Sequence, residues 1–168
     1  MLGPVLKVFK ALNSNARPWQ LSLGVVFGML VGLTPLSSPH NLVVVFLAFI
    51  INLNLGLMIL SFAFFSGVAY LLDPLFHSLG YGVLTAEGLN DFWTRFFSCP
   101  VFLLGKLNNS IVMGSLLVSL ALAVPVFLLF NVVVSQYREQ IQARLKKYPI
   151  LGSLKIVKLY ETLMGGRS

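Results

Sequence analysis

Residues 18–72 read PWQLSLGVVFGMLVGLTPLSSPHNLVVVFLAFIINLNLGLMILSFAFFSGVAYLL, without a single Asp, Glu, Lys or Arg. A second stretch without these residues covers 107–137. Of the whole chain, 57% is hydrophobic and 10% is charged, whereas soluble domains have about 25% charged residues. A soluble core does not require such long charge-free stretches, but a lipid bilayer does. The sequence therefore predicts an all-α, polytopic membrane helix bundle and argues against an ordinary cytosolic enzyme.

The remaining charged residues are unevenly distributed. Lys and Arg dominate before residue 18 and after residue 137, while the segment 73–106 carries both signs. By the positive-inside rule, both termini are predicted to face the cytoplasm, which requires an even number of membrane crossings. The basic ends are expected to attract anionic lipid headgroups at the cytoplasmic face. Nothing in the pattern indicates a basic face that reads nucleic acid.

Hydrophobic periodicity and turn residues divide the chain into three parts. An amphipathic interfacial helix is predicted over 1–17, a membrane domain over 18–135, and a basic amphipathic cytoplasmic tail over 136–168. The membrane domain is predicted to contain two short helices, over 19–33 and 41–51, and two full spans, over 55–72 and 111–135. An outward segment over 73–110 is predicted to join the two spans.

Local capping signals refine these boundaries. Asp73 followed by Pro74 is typical of a helix start, with Asp as the N-cap and Pro in the first turn, so a new helix is predicted there with Gly80 as its stop. The polar run 108–110 is expected to cap the last span. Asp73 and His77 would share a helix face, but two side chains are too few for a closed metal site.

Small residues recur every four positions along two of the predicted helices. Gly24, Gly28 and Gly32 form one stripe, and Ser115 and Ser119 form another. Such stripes let membrane helices approach closely. We expect them to pack against other helices of this chain, while an interface with a second copy or another protein is the alternative.

The turn between the two short helices is the main candidate for a ligand site. It contains Thr34, Pro35, Ser37, Ser38, Pro39 and His40. Ser37 or Ser38 is predicted to cap the following helix, whose N–H groups would favour an anion such as a lipid phosphate. Two geometries remain open: a re-entrant hairpin with this turn inside the membrane, or two thin spans with the turn at the outer surface.

Two asparagines, Asn52 and Asn54, follow the second short helix. Their amides are costly in hydrocarbon unless they are hydrogen-bonded. They are predicted either to bridge neighbouring helices or to lie at the cytoplasmic headgroup level.

A pattern of residues across about 16–84 resembles a known family. Its members are Trp19 to Gly24, Gly28, Gly32, Pro35, Asn52, Asn54, Asp73-Pro74 and Gly80. This pattern is similar to the DUF2062 family of bacterial membrane proteins, which usually has Asn-Pro where this sequence has Asp73-Pro74. Asn108-Asn109 and Gly114-Ser115 resemble a subgroup with an extra C-terminal span and tail. The resemblance implies a bacterial inner-membrane protein but no reaction; fusions of some relatives to glycosyltransferase domains point to envelope or lipid-carrier work.

Two functions remain open from the sequence. The first is a non-catalytic scaffold or partner subunit of an envelope assembly, possible also as a homo-oligomer. The alternative is a small transporter or lipid-handling protein that binds an anionic headgroup at a re-entrant turn over 34–40. No motif for nucleophilic, carboxylate, phosphate-loop or metal catalysis is present, so neither an enzyme nor a cofactor is expected.

Overall fold

The computed structural model describes residues 16–147, and this part of the chain is helical without any strand. The prediction of an all-α helix bundle is therefore confirmed. The predicted interfacial helix over 1–17 and the end of the basic tail lie almost wholly outside the described residues. The helices are α1 (Pro18–Leu33), α2 (Pro39–Ile50), α3 (Leu55–Leu84), α4 (Asn90–Phe97), α5 (Pro100–Leu104) and α6 (Ser110–Lys147), with a 3-10 turn at Glu87–Leu89.

Two of these helices, α3 and α6, are long and apolar enough to cross a membrane. The apolar windows of α3 and α6 are only 17% and 11% buried, respectively. An apolar core helix of a soluble protein would instead be mostly buried. The exposed surface of both helices is rich in Leu, Val and Phe side chains, as expected for helices surrounded by lipid.

Helix α1 lies at the centre of the bundle, between α3 and α6. Most of its residues are buried, because glycines face α3 and larger side chains face α6. Gly24 lies against the carbonyl of Asn54, and Gly32 lies against that of Phe62, so α1 and the first half of α3 run parallel. Leu21 and Val25 pack against Leu57 and, from α6, Val134.

Helix α6 runs antiparallel to α3. At one end, Gly114 lies against the carbonyl of Phe76, and Gly80 lies against that of Ser110. At the other end, Nη1 of Arg138 donates a hydrogen bond of 2.7 Å to the carbonyl of Ala16, just before α1. The starts of α1 and α3 and the later part of α6 therefore lie at the same end of the bundle.

Helix α2 returns the chain along the outside of the bundle. Only Asn41 and Ala48 of this helix are buried. After it, the backbone N–H of Asn54 donates to the carbonyl of Gln20 over 3.1 Å, and the Gln20 amide donates to the carbonyl of Asn52 over 2.9 Å. Helices α1 and α2 thus form a hairpin that begins and ends at the level where α3 starts.

The structure overturns the predicted helix start at Asp73. Asp73 and Pro74 lie inside α3, and Gly80 lies within it rather than at its end. An interior proline destabilises a helix by about 3 kcal/mol, but packing holds the last turns of α3 in place. Phe76 is completely buried with Met29, and Gly80 fits against α6. The predicted outward segment over 73–110 therefore begins as a continuation of the span.

Other predicted boundaries agree better with the structure. The two short helices begin and end within about two residues of their predicted bounds. Oδ1 of Asn109 accepts hydrogen bonds from the backbone N–H groups of Ile111 and Val112, as expected for a cap of the last span. Helix α6 nevertheless continues to Lys147, well beyond the predicted end at 135.

Candidate functional site

A cleft of about 500 Å³ opens beside the turn that joins α1 and α2. The buried end of α1, with Leu33 and Thr34, lines one side. Tyr70 and Asp73 of α3 line the opposite side, and Ile111 contributes from α6. The cleft thus combines three helices and the turn, and it contains both apolar and polar side chains.

Hydrogen bonds between side chains and backbone fix the shape of the turn. The Thr34 hydroxyl lies 2.8 Å from two acceptors, the carbonyl of Leu30 and Oδ1 of Asn41. Nδ2 of Asn41 donates to the carbonyl of Pro35 over 3.0 Å, and the N–H of Ser38 donates to the same carbonyl over 2.9 Å. This network fixes the conformation of the turn beside the cleft.

Two opposite charges flank the cleft. Asp73 lies in its wall, and Nζ of Lys106 lies 3.4 Å from Oγ of Ser37 at the rim. Lys106 has a φ of 55°, a backbone conformation that is uncommon for residues other than glycine. Within the described residues, neither Asp73 nor Lys106 takes part in an ion pair. Both charges are therefore free to meet a ligand.

A separate apolar groove lies on the same face of α3, nearer the start of that helix. It has a volume of about 450 Å³ and is lined only by apolar residues, including Val31, Ala48 and Phe62. The α3 residues that line the groove and then the cleft follow helical spacing along one stripe. They are Leu55, Met58, Ile59 and Phe62 in the groove, then Ser66, Ala69, Tyr70 and Asp73 in the cleft.

The structure divides the candidate turn into two groups. Thr34, Pro35 and Ser37 line the cleft, whereas Ser38, Pro39 and His40 do not. Ser38 occupies the N-cap of α2 with Pro39 next to it, in the predicted positions, but its side chain makes no capping hydrogen bond.

Ser38 and His40 are instead buried polar groups without partners. The Ser38 hydroxyl and both ring nitrogens of His40 lack a hydrogen bond within the described part of the protein. They lie outside the lining of the cleft and are therefore not part of this candidate site.

The two predicted intramembrane asparagines lie at the opposite end of the bundle from the cleft. Oδ1 of Asn54 accepts from the backbone N–H of Leu57 over 2.8 Å and so caps α3. Asn52 contributes its carbonyl to the bond with Gln20. Both residues therefore stabilise the junction between α1 and α3.

The two small-residue stripes lie inside the bundle. A Cβ atom at Gly24, Gly28 or Gly32 would lie too close to α3. Ser115 and Ser119 are completely buried, and their hydroxyls donate to carbonyls of their own helix. These stripes pack helices of the same chain against one another.

Sequence reasoning missed that Tyr70 lines the cleft and that Lys106 lies at its rim. Tyr70 lies four residues before Pro74, which has no N–H to donate to the Tyr70 carbonyl. Lys106 is an isolated cation just before the last charge-free stretch. These are signals that could have drawn attention to both residues. Among the described residues, no three His, Cys, Asp or Glu side chains are grouped to hold a metal ion.

Comparisons with known proteins find a relative that is similar over most of this chain, but they indicate no activity. No protein-family model matches the chain, and no solved structure matches it. The chain is 27% identical over 138 residues to a protein of Treponema pallidum (strain Nichols) described as "Uncharacterized protein". The match covers 82% of this chain and 85% of the relative, so the similarity includes most of the described helices.

Proposed function

We propose that this chain is a lipid-handling protein of the bacterial inner membrane, which binds a phospholipid in the cleft and groove described above. The lipid phosphate contacts Lys106, and one acyl chain lies in the apolar groove. Membership of the DUF2062 family and cytoplasmic termini are part of this proposal. The proposed activity is binding, and it includes no bond-breaking step.

The observation that carries the proposal is that a cleft flanked by two charges and a purely apolar groove line successive parts of one face of α3. A phospholipid has the same arrangement, a charged headgroup joined to a hydrocarbon chain. Apolar pockets with a few well-placed polar groups are typical ligand sites. Lys106 supplies the positive charge that a phosphate requires.

The depth of the cleft supports the same ligand. From Asn54 to Asp73 the α3 backbone rises about 28 Å, close to the roughly 30 Å hydrocarbon thickness of a bilayer. With the end that holds Arg138 placed at the cytoplasmic face, Asp73 and the cleft reach the outer headgroup level. Lipid phosphates lie at this level, and the groove below the cleft lies in hydrocarbon.

The scaffold hypothesis has less support. It relied on the small-residue stripes and on the basic tail. The stripes are buried against helices of this chain, and the end of the tail lies outside the described residues. A test of the scaffold hypothesis would therefore need a different surface.

The proposed orientation predicts that the native cysteine is accessible from outside the cell membrane. Cys99 is exposed and lies between α4 and α5. A membrane-impermeant maleimide is expected to label it in intact spheroplasts as completely as after lysis. A Cys99→Ser, Gln140→Cys variant is the matched control and should react only after lysis. Labelling of Cys99 that requires lysis would exclude this orientation.

Removal of the Lys106 charge is expected to weaken phospholipid binding about tenfold. A charge-assisted hydrogen bond to phosphate contributes about 1.5 kcal/mol, and 1.4 kcal/mol corresponds to a tenfold change in affinity. Native mass spectrometry of the detergent-solubilised protein, titrated with an equimolar mixture of dioleoyl-phosphatidylethanolamine and dioleoyl-phosphatidylglycerol, measures the total lipid bound to the Lys106→Gln variant.

The matched control for Lys106→Gln is Arg95→Gln. Arg95 is an exposed cation of α4 in the same connecting segment, but among the described residues its side chain has no hydrogen bond like the one from Lys106 to the cleft residue Ser37. Arg95→Gln should bind lipid like the unmodified protein, and Lys106→Arg should retain most of the affinity. Equal losses in Lys106→Gln and Arg95→Gln would mean that lipid responds only to overall charge, and the proposed site would be wrong.

A further inference from the structure

We propose that the cleft selects a zwitterionic phospholipid whose headgroup carries a primary ammonium, with the ammonium at Asp73 and the phosphate at Lys106. This inference rests on the proposed function and identifies the class of lipid. It also narrows the anionic headgroup expected from the sequence to a zwitterionic one.

The first argument is the unpaired carboxylate of Asp73. Asp73 is half-buried in the wall of the cleft, and no cation lies within ion-pair distance of it in the part of the chain that the structure describes. A carboxylate that is partly removed from water is unfavourable without a positive partner or hydrogen-bond donors. A ligand ammonium would supply both.

Backbone groups around Asp73 also favour a cation. The C-terminal end of α1, at Gly32 and Leu33, lines the cleft, and the last carbonyls of a helix carry partial negative charge. On the opposite wall, Pro74 leaves the carbonyl of Tyr70 without its usual N–H donor in the helix. These carbonyls add hydrogen-bond acceptors to the residues that line the cleft.

The two charges together distinguish between lipid classes. Asp73 and Lys106 flank one cleft without pairing with each other, so a ligand with one positive and one negative group complements both. Phosphatidylglycerol offers a phosphate but no cation, and Asp73 would repel it. Phosphatidylcholine offers a cation, but its quaternary nitrogen has no N–H to donate. Phosphatidylethanolamine satisfies both requirements.

The inference is tested by the lipid preference of Asp73→Asn. The unmodified protein is titrated separately with dioleoyl-phosphatidylethanolamine, -phosphatidylcholine and -phosphatidylglycerol, and binding is measured by native mass spectrometry. We expect the ethanolamine lipid to bind about tenfold more tightly than the glycerol lipid. This ratio corresponds to the lower end of the free energy that a hydrogen bond between charged groups contributes. Asp73→Asn should abolish this preference while leaving binding of the glycerol lipid equal or stronger.

Asp91→Asn is the matched control because it removes an exposed carboxylate of α4 that does not line the cleft. It should keep the preference. Equal affinities of the unmodified protein for all three lipids, combined with a loss in Lys106→Gln, would overturn the inference and leave the proposed function standing. Binding that is insensitive to Lys106 would overturn the proposed function itself. Thermal unfolding in detergent identifies any variant that fails to fold. If Asp73→Asn fails to fold, Asp73→Glu provides the second test, and it should retain the preference for the ethanolamine lipid.

Discussion

Replacing Gly28 by leucine is expected to separate α1 from α3 and to destabilise the protein by about 3 kcal/mol or more, the upper end of the range for overpacked sites. A Cβ atom at this position would overlap the carbonyl oxygen of Met58 and lie 2.7 Å from Cβ of Ser61. Neither atom can rotate away, since one is backbone and the other is the root of a side chain. The 2.8 Å hydrogen bond from the Ser61 hydroxyl to the Val25 carbonyl would also be lost.

The matched control for Gly28→Leu is Gly67→Leu, in the neighbouring part of α3. A Cβ atom at Gly67 would have no neighbouring atom within 4 Å, so this change should be neutral or slightly stabilising, because leucine favours the helix by up to about 1 kcal/mol over glycine. Thermal unfolding of both variants in the same detergent, followed by size-exclusion chromatography, compares them directly. Equal melting temperatures would show that α1 and α3 do not pack closely at Gly28.

The sequence revealed the glycine stripe but not its partner. Spacing of four residues placed Gly24, Gly28 and Gly32 on one helix face, and this is the face that approaches α3. The atoms that they contact are mainly backbone atoms of residues such as Met58 and Phe62. Backbone carbonyls are the same for every residue type, so the partner helix leaves no mark in the sequence.

The misplaced helix boundary at Asp73 has a different cause. Local capping preferences favour a helix start at Asp73-Pro74 by about 1 kcal/mol. This free energy is similar to that of ordinary side-chain packing contacts. The burial of Phe76 and the contact between Gly80 and Gly114 outweigh that preference. Both contacts join residues that are distant in the chain, so a local pattern could not predict them.

The cleft was predictable only in part. The turn over 34–40 was recognised from its Pro and Ser residues, and three of its members line the cleft. The cation at its rim, Lys106, is 69 residues away from Ser37 in the chain. Only the antiparallel return of α6 and its preceding loop brings Lys106 to the rim, and this arrangement depends on tertiary packing.

The tertiary packing around the cleft is expected to depend strongly on Phe76. Its side chain is completely buried in a cluster with Met29 and Leu33, and Leu33 also lines the cleft. Phe→Ala in a soluble core is destabilising by about 3–5 kcal/mol. We expect Phe76→Ala to lower the free energy of unfolding by about 3 kcal/mol, the lower end of that range. The reason is that a phenylalanine released from this site would partly enter lipid rather than water. Unfolding by increasing SDS in mixed micelles measures the loss.

Phe64→Ala provides the matched control, since Phe64 lies in the same helix but is 65% exposed. Lipid can take the place of the missing ring there, so the free energy of unfolding is expected to fall by less than about 0.5 kcal/mol. Because Leu33 connects the Phe76 cluster to the cleft, Phe76→Ala should also reduce phospholipid binding, while Phe64→Ala should not. If both variants unfold at the same SDS fraction, the last turns of α3 do not pack on α1, and the wall that carries Asp73 has no fixed position opposite Lys106.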